Sequence, residues 1–178
     1  SRIVIKKDRT YRDVDKITAL LHTFACDKGM IVKQSKLLLD FLEQKSIQIE
    51  ERSRVGLDIK ARDCRLLESY SKFKSKVDSL MVRPLRDNQM WDAFYMYSMK
   101  KCANFSVPGS GKTSVVLGVY AYLFEIGEAD KIIVVGPKNS FGSWRDEFIA
   151  CFGNNIPLKC FDSHDCSLSR KDEKKRLL

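Results

Sequence analysis

Residues 106–113 read Ser106-Val107-Pro108-Gly109-Ser110-Gly111-Lys112-Thr113. A short apolar stretch, Ala103–Val107, runs into them, and an almost wholly apolar helical pattern, Lys112–Ile126, runs out. A glycine turn between a strand and a helix is the setting in which a backbone loop wraps a phosphate. The glycines let N–H groups turn inward with no side chain in the way. The helix beginning near Lys112 aims the positive end of its dipole at the same point. The Lys112 ammonium suits β- and γ-phosphates, and the Thr113 hydroxyl suits Mg2+. The predicted nucleotide contacts are therefore Pro108, Gly109, Ser110, Gly111, Lys112, Thr113 and Ser114, with Lys112 and Thr113 as the catalytic pair. Ser106 stands where the G-x-x-x-x-G-K-[ST] pattern has its first glycine. The G-x-G-K-T centre, where the phosphate contacts form, is intact.

The rest of the second half follows the same rhythm. Ile132–Val135 is an unbroken β-branched run, as in a strand buried on both faces. Phe141, Trp144, Phe148 and Phe152 mark a helix stopped at Gly153, and Pro157–Phe161 reads as a third strand. A helix over Asn88–Lys101 precedes the loop. Strands alternating with helices predict an α/β fold with a parallel sheet. Pro84 marks the boundary before it. Residues 1–81 form a mostly helical amino-terminal region, and 82–178 the α/β region. In the first, Val14, Ile17, Leu21 and Phe24 fall at helical spacing before Gly29, and Leu37, Leu38, Phe41 and Leu42 make a second face. Leu66, Tyr70, Phe73, Val77 and Leu80 make a third. Ile47–Ile59 alternates and leaves strand and loop both open.

The chain has 178 residues, 44% hydrophobic and 31% charged, which supports a core and excludes a disordered tail. No apolar run approaches the roughly 18 residues of a membrane span. The net charge of +9 suits a polyanion partner or an ordinary basic surface, and it is spread along the chain with no basic tail. On the third helix, Lys60, Arg62, Arg65, Lys72, Lys74 and Lys76 lie off the apolar face, where a solvated surface is the simpler reading. None of the six cysteines forms a C-x-x-C pair, which fits reduced thiols in an intracellular protein. Cys160, His164 and Cys166 lack a partner pair, so a plain loop is preferred there to a zinc site.

Two flanking segments narrow the class. Gln89 lies 23 residues before Lys112, and its carboxamide has the donor and acceptor that pair with adenine N6 and N7. Gly136-Pro137-Lys138-Asn139-Ser140 ends the β-branched run at a helix start, with Asn139 or Ser140 as the expected cap, and suits a nucleic-acid backbone. The order Leu85-Arg86-x-x-Gln89, then Pro108–Thr113, then Gly136-Pro137-Lys138 with Trp144-x-x-Glu147 resembles the first RecA-like lobe of superfamily-two helicases and translocases. The Trp-x-x-Glu element is similar to the Swi/Snf branch. The resemblance covers residues 82–152. It implies a P-loop RecA-like sheet, ATP and Mg2+ as cofactors, and double-stranded DNA as partner. It further implies that Arg86 and Gln89 lie in the nucleotide site, and that Pro137, Lys138 and Ser140 touch the DNA backbone.

The acidic Asp-Glu-x-His segment of that family does not occur before Leu178, and neither does a second lobe. The chain is therefore expected to be the amino-terminal part of a longer ATP hydrolase, inactive by itself, with residues 1–81 free to dock a protein partner. The expected setting is cytoplasmic and bacterial rather than nuclear. The alternatives are another P-loop NTPase, such as a protein remodeller, and a non-enzymatic docking module.

Overall fold

The structure, a computed structural model, describes residues 3–6 and 8–158. The chain divides into two compact units, Ser1–Asp58 and Ile59–Leu178. The proline break at Pro84 comes later than this division, because the helix before it packs with the second unit.

In the first unit, α1 spans Tyr11–Asp27. Thr10 caps it: Asp13 N–H donates to Thr10 Oγ1 at 3.3 Å, and Thr10 N–H donates back to Asp13 Oδ2 at 3.1 Å. Each side chain thus serves a backbone donor that the helix start leaves without an intrahelical partner. Gly29, at φ +62°, follows the end of the helix, as the sequence predicts. The second helix, α2, spans Lys36–Lys60 without a break. The alternating stretch Ile47–Ile59 is therefore helical. Glu50, Glu51, Arg52 and Arg54 are strong helix formers, and Ser46 Oγ donates to Glu50 one turn on. Only Val14 and Ala25 are buried hydrophobics in α1, and Leu37 and Leu57 of α2 are largely exposed.

The second unit begins with the end of α2 and a 3-10 turn, Cys64–Leu66, capped by Asp63, whose Oδ1 accepts from Arg65 N–H at 2.8 Å. Then come α3 (Leu67–Leu80), α4 (Asp87–Met99), α5 (Lys112–Glu125), a 3-10 turn over Lys138–Ser140 and α6 (Phe141–Phe152). The central helix is α5, packed against α3, α4 and α6. Its buried residues Ser114, Val115, Leu117, Gly118, Tyr120 and Ala121 spread over more than half of its circumference, and Val116, Val119 and Leu123 on the remaining face are half-buried, as a helix covered on several sides requires. Gly118 lets the connector before α4 come close, since a Cβ there would lie 2.6 Å from Leu85 Cδ1. Tyr70 stacks on Trp91 at 3.8 Å between ring centres, Phe73 meets Tyr122 at 4.6 Å, and Phe148 meets Phe152 at 4.7 Å.

The α/β expectation is overturned. Among the described residues every regular element is helical and there is no strand, so there is no RecA-like parallel sheet. Ala103–Val107 and Ile132–Val135 are irregular, with Phe105 93% and Val135 94% exposed. Residues 157 and 158 are irregular too, and 159–161 of the third expected strand lie outside the described residues. A β-branched run becomes a buried strand only when neighbouring strands accept and donate its backbone hydrogen bonds. Here the apolar surface of α5 is covered by helices instead.

Candidate phosphate-binding loop

The loop takes its shape from two left-handed glycines, Gly109 at φ +80° and Gly111 at φ +82°. An L side chain at either position meets its own backbone, so only glycine is free of strain there. Ser110 N–H closes the turn on Val107 O at 3.2 Å, and Val115 N–H makes the first helical bond to Gly111 O at 3.1 Å. Lys112 folds back across the loop: Nζ donates to Val107 O at 3.1 Å and to Ser106 O. Two of the three ammonium donors thus latch the turn. A Cβ on Gly109 would meet nothing within 4 Å, so that side of the loop is open. The open glycine, the start of a 14-residue helix and a cation together fit a phosphate group. For Mg2+ the chain offers the partly exposed Thr113, and among the described residues no cluster of three His, Cys, Asp or Glu side chains could hold a metal. A magnesium ion that keeps its waters and takes phosphate oxygens needs little more than one hydroxyl from the protein.

Gln89 meets this loop directly. Its Nε2 donates to Ser110 O at 2.8 Å, and its Oε1 accepts from Arg86 N–H at 3.0 Å. The carboxamide expected to face adenine therefore ties the start of α4 to the loop. Arg86 itself is exposed and contributes its backbone; a guanidinium has no acceptor, so it cannot cap the helix in return.

Behind the loop lies a contact that sequence reasoning missed. Ser114, 7% exposed, is the one buried polar side chain among the described residues apart from the aromatic ones. Its Oγ donates to Glu147 Oε1 on α6, and Arg83 Nη2 donates to the same oxygen. Arg83 Nη2 also lies 3.5 Å from Ser114 Oγ and 3.4 Å from Cys151 Sγ. The backbone repeats the link, since Val82 N–H donates to Cys151 O at 2.8 Å and Arg83 N–H to the same oxygen at 3.4 Å. Burial pushes the Cys151 thiol above its ordinary range, with Arg83 pulling it back, which suits a structural rather than a reactive cysteine. One signal for this cluster was present: Glu147 interrupts an otherwise apolar stripe of Trp144, Phe148, Cys151 and Phe152.

The second predicted contact region forms its own turn. Ser140 N–H and Oγ both donate to Pro137 O, at 2.9 and 2.7 Å. Ser140 occupies the cap position of α6, yet its hydroxyl does not cap the helix. The Lys138 side chain and residues Cys160, His164 and Cys166 lie outside what the structure describes. Pro137 and Ser140 thus stand together at the start of α6, while Gln89, Ser110, Lys112 and Ser114 gather at the start of α5.

The basic residues expected on one helix are divided between the end of α2 (Lys60), the turn after it (Arg62, Arg65) and α3 (Lys72, Lys74, Lys76), and most of them are paired. Arg62 pairs with Asp87 at 2.7 Å, Arg65 with Asp63 at 2.8 Å, Lys72 with Glu68 at 2.6 Å, and Lys74 with Asp78. Lys60 sits over the Tyr95 ring at 5.7 Å. No helix among the described residues is long and apolar enough to cross a membrane. Compared with known proteins, the chain matches no family model, no curated sequence and no solved structure.

Proposed function

We propose that this chain holds the phosphates of ATP in the loop Pro108–Ser114 and serves as the nucleotide-binding element of a DNA-dependent ATPase. The observation that carries the first half is the loop itself: two left-handed glycines, a helix start and a folded-back lysine around one open point. The N–H groups of Gly109, Gly111, Lys112 and Thr113 would face phosphate oxygens, while that of Ser110 closes the turn, and Lys112 would exchange a loop carbonyl for one of them. Thr113 would ligate the Mg2+ that arrives with the nucleotide, and the ion would offset charge between the β- and γ-phosphates. Gln89 keeps the loop in shape from the side of α4. Support for the DNA half comes from the order of the motifs and the turn at Pro137–Ser140, not from the fold.

The test is binding of Mg-ATP to this chain, wild type against Lys112→Ala, by calorimetry. A charge-assisted contact is worth about 1.5–3 kcal/mol, so the variant should bind about 10- to 100-fold more weakly. Equal affinity for the two proteins, or no binding by either, removes the reading. A second titration with a short DNA duplex separates the partners. Salt-dependent binding supports the DNA-dependent class, and ATP binding with no response to DNA moves the assignment to a protein remodeller.

A further inference from the structure

We propose that Asn104 is a positioning residue for nucleotide binding: through Ser106 it fixes the carbonyl that anchors Lys112 at the phosphate loop. The inference rests on the ATP-binding reading above. Asn104 Oδ1 accepts from Ser106 N–H at 3.0 Å and from Ser106 Oγ. The first of these bonds closes an Asx turn, in which a side chain stands in for a backbone carbonyl. Ser106 O, held by that turn, accepts from Lys112 Nζ. Asn104 and Ser106 are both half-buried. Ser106 is not among the residues with positive φ, so the backbone does not require glycine at this position of the loop. The serine supplies a hydroxyl that glycine lacks, and Asn104 takes it up.

The two carbonyls that hold Lys112 are not equivalent. Val107 O accepts from Lys112 Nζ at 3.1 Å and also from Ser110 N–H at 3.2 Å. When a phosphate oxygen takes a donor from the ammonium, Val107 O keeps Ser110 as a partner. It is therefore the carbonyl that Lys112 can give up at least cost. Ser106 O then remains as the anchor, and Asn104 decides where that anchor points. A lysine stem loses much rotamer freedom when its ammonium is fixed. Anchored before nucleotide arrives, Lys112 has already lost part of it, so its contact with phosphate forms at a smaller entropic cost.

The experiment titrates the 178-residue chain with Mg-ATP by calorimetry. The proteins are wild type, Asn104→Ala, Asn104→Ser, Ser106→Gly and Lys112→Ala, with Asn104→Ala and Ser106→Gly also combined with Lys112→Ala. Asn104→Ala should weaken ATP binding by about three- to tenfold, the worth of one neutral hydrogen bond. Asn104→Ser, whose hydroxyl makes the same turn more weakly, should recover part of that loss. Ser106→Gly restores the glycine of the G-x-x-x-x-G-K-[ST] pattern, yet it should weaken binding too, and it carries the measurement if Asn104→Ala does not fold. In the Lys112→Ala background either change should alter affinity by less than about twofold, because no ammonium is left to anchor. A general loss of loop structure would instead weaken both backgrounds alike. Equal losses in the two backgrounds, or an Asn104→Ala protein that binds ATP as wild type does, overturn the inference and leave ATP binding intact. No ATP binding by the wild type overturns the ATP reading and this inference together.

Discussion

Replacing Gly111 by alanine tests the shape of the loop more sharply than any change of charge. Gly109 and Gly111 have nearly the same left-handed φ, +80° and +82°, so alanine at either carries the same backbone strain, about 1–2 kcal/mol. Their surroundings differ. A Cβ at Gly109 meets nothing within 4 Å, whereas a Cβ at Gly111 runs into Gln89 Nε2 and lies 3.4 Å from Ser114 Oγ. The Gln89 amide must then leave Ser110 O, and losing a hydrogen bond with one partner stranded costs about 1–2 kcal/mol more. Gly111→Ala should therefore destabilise by about 2–4 kcal/mol, a large part of the about 5–15 kcal/mol of an ordinary domain. Gly109→Ala should lose only the strain. Urea unfolding followed by circular dichroism measures both, with stability extrapolated linearly to water. The double variant Gly111→Ala/Gln89→Ala removes the obstacle, so its cost should fall short of the sum of the two single changes by about 1 kcal/mol. If Gly111→Ala costs no more than Gly109→Ala, or if the double variant is additive, Gln89 does not brace the loop.

Three further outcomes follow from the packing. Val135→Asp should change stability by no more than about 0.5 kcal/mol, since Val135 is on the surface, whereas Val115→Asp, buried in α5, should unfold the second unit or nearly so; strong destabilisation by Val135→Asp would restore a buried strand. Phe73→Ala should cost about 3–5 kcal/mol in the same denaturation assay, because the ring is buried among Phe94, Tyr97 and Tyr122. The phenol of Tyr70 is pushed up to about 12, first by burial and then by the Asp87 carboxylate, so the folded state favours its neutral form. That contribution is complete below about pH 10 and is lost as pH rises towards 12, so a pH series of thermal midpoints should decline over that window and decline less in Tyr70→Phe. An unchanged slope in Tyr70→Phe would assign the decline to other groups.

Most helices and the loop turn were legible because their causes are local, whereas Ile47–Ile59, the second half of α2, was not. Apolar spacing at Leu66, Tyr70, Phe73 and Val77 marks α3, and the spacing of Val14, Ile17, Leu21 and Phe24 before Gly29 marks α1. Gly109 and Gly111 forecast a turn that only glycine makes without strain, and the structure places both in the left-handed region. The contacts that brace the loop were not legible, since Gln89 lies 21 residues from Ser110 and Glu147 lies 33 from Ser114. No local pattern says which distant partner a carboxamide or carboxylate will find.

The sequence by itself determined most helices and the left-handed glycine turn at Gly109 and Gly111, though not the second half of α2, because periodicity and positive φ act within a few residues. The tertiary structure alone decided the fate of the apolar runs at 103–107 and 132–135. A run of β-branched residues states only a preference for a pleated, half-buried setting. Whether it becomes a strand depends on backbone partners supplied from elsewhere, and in this chain helices α3, α4 and α6 cover α5 while Phe105, Ile133 and Val135 stay at the surface.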